Sequence, residues 1–251
     1  MVCHIYGIEL MNILGLGLAL AVVAAFTIIV ANFFAIGQNN LKRMLAYSTI
    51  NQLSFIILGV ALLSPMAVTG ALLHIPFHGF MKITLFLCAG AIAAITGKKT
   101  ISDLAGMGRV LPVTLSAFMI GAFGMCGAPP LAGFISKWHI GLGAVESGAR
   151  FFLLIILVGS LLDVVYFFPV IRTAFFDKRP EDEALANEGE EKVDIYAGQK
   201  QVLESRQAIY LLMIVPLAIT AIFSILLCLF PNTLRIFDLA QTAVNNIFGG
   251  L

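Results

Sequence analysis

Apolar runs of membrane length, separated by short polar breaks, constrain this chain more than any other feature. "LGLGLALAVVAAFTIIVANFFAIG" (14–37) is one such run, and others recur along the whole sequence. Each is long enough to cross a hydrocarbon core about 30 Å thick. Hydrophobic residues make up 60% of the chain and charged residues only 12%, against about a quarter charged in soluble domains. The mean hydropathy is +0.99. The sequence therefore predicts an all-α, polytopic integral membrane protein. A net charge of +1 with no basic arm gives no sign of a nucleic-acid partner.

Six spans can be drawn. The first runs from about Asn12 to Ile36, too long and without the basic leader of a signal peptide. "GQNNLKR" (37–43) breaks it before a second span, Met44 to Leu63. The third, Ala67 to Thr96, is expected to be interrupted, kinked or loosened near Pro76. The fourth, Leu111 to Val145, contains "GAPPLAG" (127–133), where Pro129 and Pro130 forbid a continuous helix. Two half-helices are expected there. The fifth covers Phe151 to Phe176. A polar stretch then leads to the sixth, Gln207 to Phe230. This divides the chain into a membrane part (1–176), a polar loop (177–206), and a final transmembrane helix with its tail (207–251).

Basic residues set the orientation. Loops after spans one, three and five carry Lys42, Arg43, Lys98, Lys99, Arg109, Arg172, Lys178, Arg179, Lys192, Lys200 and Arg206, whereas the other side holds only Arg150 and Arg235. The first set is expected to face the cytoplasm, with both termini on the outer side.

Two lysines remain within the spans. In "HIPFHGFMKITLFLCAG" (74–90), His74, His78 and Lys82 are four residues apart. Steps of four drift only about 40° around a helix, so the three line one face over roughly 12 Å. A charge at bilayer depth costs at least about 2.5–3.5 kcal/mol, which makes such groups candidates for an ion path. The plainer alternative is that the histidines satisfy backbone freed by Pro76 and Lys82 snorkels. Snorkelling is opposed by the apolar run from Ile83 to Ile95. Lys137 lies about two turns into the second half-helix of the broken span, while His139 points some 200° away from it. The rival reading puts Lys137 at the outer interface. Asp163 stands alone in "FLLIILVGSLLDVVYFFP" (152–169). An unpaired carboxylate there would hold its proton; pairing with a basic group on another helix is the alternative. Cys3, Cys88, Cys126 and Cys228 are scattered and read as packing residues rather than disulfides or metal ligands.

"NNLKRMLAYSTINQLSFIILG" (39–59), "HIPFHGFMKITLFLCAGAI" (74–92) and "GAPPLAGFISKW" (127–138) occur in the order and spacing of a known family. They resemble the antiporter-like membrane subunits shared by proton-pumping NADH:quinone oxidoreductase (complex I), membrane-bound hydrogenases and multi-subunit sodium/proton antiporters. "LLDVVYFFPVIRTAFF" (161–176) and "IVPLAITAIFSILLCLFPNTL" (214–234) look closest to the antiporter subunit-D branch. The resemblance implies a proton relay through His74, His78 and Lys82, with exit at Lys137. It also implies an anchoring role for the basic pair Lys42 and Arg43. Asp163 stands where an amide or small residue is expected, so no role transfers to it. Members of this family are built from two inverted five-helix repeats, and the chain resembles the second. Either a separate chain supplies the first repeat, which is the expected partner, or the sequence is a truncated form; other membrane subunits, protons, sodium and lipid are the further partners expected.

The resulting expectation is an ion-translocating half-subunit of a larger complex, driven by redox chemistry or coupled to sodium, in a bacterial or archaeal inner membrane. A structural scaffold without an ion path is the alternative, and it gains nothing from buried lysines. No glycine-rich phosphate loop or cysteine cluster points to a nucleotide, flavin, iron–sulfur centre or other cofactor, and no active site of its own is legible.

Overall fold

A computed structural model describes residues 8–178 and 207–249, and helices account for nearly all of them. In chain order they are α1 (Ile8–Ile13), α2 (Leu16–Ile36), α3 (Leu41–Ala61), α4 (Pro65–Thr96), α5 (Pro112–Cys126), α6 (Ala132–Glu146), α7 (Arg150–Phe175), α8 (Gln207–Leu229) and α9 (Ile236–Phe248). Helices α2, α3, α4, α7 and, from Leu212, α8 are long and apolar enough to span a bilayer. The α5–α6 pair makes the sixth crossing as two halves. The chain is an integral, multi-pass membrane protein.

Local chemistry explains most boundaries. The Asn40 side chain accepts the Arg43 amide at 3.1 Å and starts α3. Ser64 caps α4, accepting from the Ala67 amide at 3.3 Å, and Pro65 takes the first helical position, where no amide is needed. The broken span parts at Gly127, whose φ of 81° is left-handed, followed by the cis peptide between Pro129 and Pro130.

Three expectations change. The first span is divided at left-handed Gly15, between α1 and α2. The third does not break: α4 runs unbroken through Pro76. Proline removes one amide and leaves the Leu72 carbonyl without its usual donor, a local loss that flanking turns absorb inside a packed bundle. Beyond the sixth span the tail is helical, and α9 buries Ala240 and Val244, four residues apart, while Asp238, Gln241 and Asn245 stay exposed.

Helix α4 is the hub, packed against α3, α5, α6, α8 and α9. Close approach to α6 depends on Gly70, where an added Cβ would lie 2.6 Å from the Ile140 nitrogen. At one end of the bundle the 37–40 and 97–101 loops are joined, Leu41 donating to the Lys99 carbonyl (3.1 Å) and Ile101 to Asn39 (2.7 Å). At the other, Glu146 at the end of α6 accepts from the Ser64 hydroxyl and, at 3.3 Å, from the Met66 amide. Loops assigned to one side by their basic residues thus lie together. Arg179, Lys192, Lys200, Arg206 and Cys3 fall outside the described residues.

Candidate ion-path site

Five titratable groups within the spans are buried: His74, His78, Lys82, Lys137 and Asp163. His74 and Asp163 are fully covered, and His78, Lys82 and Lys137 are 6–8% exposed. The helical register of α4 does what the spacing predicts: the His74 and His78 rings stack with centroids 6.0 Å apart, and Lys82 follows on the same inward stripe.

Lys137 and Asp163 form an ion pair, Nζ to Oδ2 at 2.8 Å, between α6 and α7. The helix break creates the second anchor for the ammonium, because the Met125 carbonyl at the end of α5 accepts from Nζ at 2.7 Å. Ser160 accepts a third bond at 3.2 Å, and the ammonium lies 4.5 Å from the centroid of the Phe55 ring. The alternatives left open for Asp163 are thereby decided in favour of pairing, and Lys137 is buried against α5 and α7.

Asp163 is saturated. Its Oδ1 accepts from Asn51 (2.6 Å) and Tyr166 (2.8 Å); its Oδ2 accepts from Gln52 (2.7 Å) and Lys137. Two donors on each oxygen use the acceptor capacity of a carboxylate. Such full compensation is what permits a charge pair at this depth.

Gln52 extends the network to α4. Its amide nitrogen is committed to Asp163, so its oxygen faces His74 Nε2 at 3.1 Å as an acceptor. His74 Nδ1 meets Ser136 Oγ at 2.7 Å, and Ser136 is 3.1 Å from the Gly133 carbonyl. A neutral His74 must therefore carry its proton on Nε2 and accept from Ser136. A charged His74 donates on both sides and turns the Ser136 hydroxyl onto Gly133. The charge state of the imidazole is thus coupled to one hydroxyl rotor at the start of α6.

Lys82 is held differently. Its Nζ donates to Ser48 on α3 and lies 5.9 Å from the Phe86 ring centroid, with no carboxylate in contact among the described residues. His78 Nε2 likewise has no hydrogen-bond partner there. A cleft of about 310 Å³ between α6 and α7 reaches Lys137 and Ser160, walled by Gly127, Phe134, Trp138 and Leu157.

The remaining candidates lie elsewhere. His139 bonds the Ile135 carbonyl at 2.8 Å and meets Phe237 of α9 edge-on, away from the network. Lys42 and Arg43 are exposed at the start of α3. Cys88, Cys126 and Cys228 are free, and no cluster suited to a metal occurs among the described residues. Sequence reasoning missed Ser48, Asn51, Gln52, Ser136 and Tyr166. The signal was present on α3, where Ser48, Asn51 and Gln52 sit at i, i+3 and i+4 within an otherwise apolar helix.

Comparison with known proteins agrees with this architecture. NADH-quinone oxidoreductase subunit N of Desulforudis audaxviator is 42% identical over 163 residues, covering 65% of this chain and 32% of that protein. The chain thus spans about a third of the length of the curated relatives it matches. A chain of the Mrp complex from Dietzia sp. superposes with a TM-score of 0.76 at 21% identity, covering 93% of this chain and 48% of the other. A chain of an archaeal membrane-bound sulfane sulfur reductase, a respiratory membrane complex, gives 0.72 at 26% identity, covering 93% and 42%. Residues 8–163 match the family described as NADH:quinone oxidoreductase/Mrp antiporter, TM, and the chain belongs to that family.

Proposed function

We propose that this chain carries protons through the membrane along the buried groups centred on α4, α6 and α7, as part of a larger antiporter-like assembly. His74, His78 and Lys82 form the inner stretch of the path, and Lys137 marks the outward end. The observation that supports it best is the pair of unlike buried lysines. Lys137 has its charge balanced by Asp163 at 2.8 Å, whereas Lys82 has a single hydroxyl acceptor. A buried cation without a counter-charge is costly, so the Lys82 proton is the one most readily moved. A scaffold would gain nothing from that imbalance.

The cleft beside Lys137 supports an exit between α6 and α7. Motion of protons here would be coupled to redox chemistry or to sodium exchange elsewhere in the assembly. Other membrane subunits, including helices that supply the companion repeat, would cover the bundle, with lipid around it. The basic loops would face the cytoplasm of a bacterial or archaeal cell, with Lys42 and Arg43 anchoring that side and both termini opposite. In this reading residues 1–176 are the repeat, 177–206 a cytoplasmic loop and 207–251 a closing helix and tail.

The test is proton uptake into vesicles, normalised to assembled complex. Lys82→Met should abolish or strongly reduce uptake while assembly is kept. Lys82→Arg should not restore it fully, because an arginine does not release its proton. Lys99→Ala, exposed in a loop, should change little. Full uptake from Lys82→Met would end the proposal.

A further inference from the structure

Gln52 sets its amide nitrogen against the two acceptors that also hold the Lys137 ammonium. Its Nε2 is 2.7 Å from Asp163 Oδ2 and 3.4 Å from the Met125 carbonyl. Lys137 Nζ meets the same two atoms at 2.8 and 2.7 Å. Neither a main-chain carbonyl nor a carboxylate oxygen paired with an ammonium has a hydrogen to give. A turned amide would place its oxygen against both acceptors and its NH2 group against His74. Gln52 is fully buried, so no solvent would repair that mismatch.

The consequence falls on His74. Gln52 Oε1 lies 3.1 Å from the ring Nε2. An amide oxygen only accepts, so Nε2 carries a hydrogen in the neutral ring and in the imidazolium alike. The hydrogen that comes and goes is the one on Nδ1. We propose that Gln52 is a positioning residue that confines proton exchange at His74 to Nδ1, the nitrogen facing Ser136. This rests on the reading of His74 as a member of the proton path. It adds Gln52, which fixes the ring, and Ser136, whose Oγ meets the exchanging atom at 2.7 Å.

The exchange balances. One proton of the path binds the Nδ1 lone pair and makes the imidazolium. Ser136 keeps its own hydrogen and swings it from Nδ1 to the Gly133 carbonyl, 3.1 Å away. Loss of the Nδ1 proton reverses both. Exchange therefore takes place on the α6 side of the ring, where Ser136 directly precedes Lys137 in the chain, and not on the α3 side. The titratable groups nearest the ring are His78, stacked one turn along α4, and the Lys137–Asp163 pair beyond Gln52. His78 differs from His74, for its Nε2 has no hydrogen-bond partner among the described residues.

Nitrogen-15 NMR of the histidine-labelled, assembled complex in membranes tests this, the His74 signals being those lost in His74→Asn. With the ring neutral, the wild type should show a hydrogen on Nε2 and a bare Nδ1. Gln52→Met removes the acceptor at similar length and should swap the two, because Nδ1 can then donate to Ser136 while Ser136 donates to Gly133. Ser136→Ala should leave the hydrogen on Nε2, since Gln52 remains. Proton uptake into vesicles should fall on the order of a hundredfold in Gln52→Met, the scale of a lost positioned proton-transfer group. A bare Nε2 in the wild type overturns the proposal, as does a ring that stays charged at every pH at which the complex stays assembled. Retention of the Nε2 hydrogen in Gln52→Met, or a swap in Ser136→Ala, overturns it too. Should Gln52→Met fail to assemble, the wild-type and Ser136→Ala spectra decide. A swapped Gln52→Met with wild-type uptake removes Gln52 from the path. If Lys82→Met is inactive while Gln52→Met shows no swap, the inference fails and the path stands. If Lys82→Met is fully active, the path fails, and the spectra still decide which nitrogen of His74 exchanges.

Discussion

Removing Lys137 should destabilise the protein by less than removing Asp163, and the two losses should not add. In Lys137→Met, Asp163 loses its partner at 2.8 Å but keeps Asn51, Gln52 and Tyr166. Breaking a buried pair costs about 3–5 kcal/mol. Three surviving hydrogen bonds to the carboxylate hold the loss at the low end, about 3 kcal/mol. Asp163→Asn leaves the Lys137 charge uncompensated and turns one acceptor oxygen into a donor. That amide nitrogen must face either Asn51 and Tyr166 or Gln52 and Lys137, so a buried donor is orphaned at about 1–3 kcal/mol. Adding this to the unbalanced ammonium gives about 4 kcal/mol for the single change. The double variant carries no buried charge and keeps only the donor conflict with its packing defect, again about 4 kcal/mol. The coupling is then about 3 kcal/mol, the upper end for contacting residues. Reversible unfolding in mixed micelles measures it, with Trp138 as reporter: it is the single tryptophan of the sequence, and it lines the cleft beside Lys137. A coupling below about 0.5 kcal/mol, the scatter of independent sites, would refute the pairing.

Gly133→Ala should lower the unfolding midpoint by about 1–3 kcal/mol in stability, because its Cβ would fall on the Gly124 carbonyl oxygen across the helix break. Gly79→Ala, with open space around the new methyl, should instead stabilise α4 by roughly 0.5–1 kcal/mol in the same assay. Asn40→Ala removes the α3 cap and should cost about 1 kcal/mol; an unchanged denaturation midpoint would show the cap to be redundant with the 37–40 and 97–101 loop pairing.

Particular residues show how far the sequence reached. The apolar runs determined the solvent, and with it the helical class, since a chain in lipid must satisfy its own backbone. Pro129 and Pro130 determined the broken span, and the spacing of four placed His74, His78 and Lys82 on one stripe, because both effects act within a few residues along one helix. An interruption at Pro76 did not follow, for its single missing amide is outweighed by packing around α4. The α9 helix was legible in the spacing of Ile236, Ala240 and Val244 but was read as tail. Only the tertiary structure decided what Asp163 does. Its partners come from α3, α6 and its own helix, the one lysine among them being 26 positions away in sequence. Burial makes an unmatched donor or charge too costly to leave, so the fold selects the one arrangement in which Asn51, Gln52, Tyr166 and Lys137 all meet one carboxylate. No spacing rule along the chain encodes that meeting, because it depends on how three helices pack.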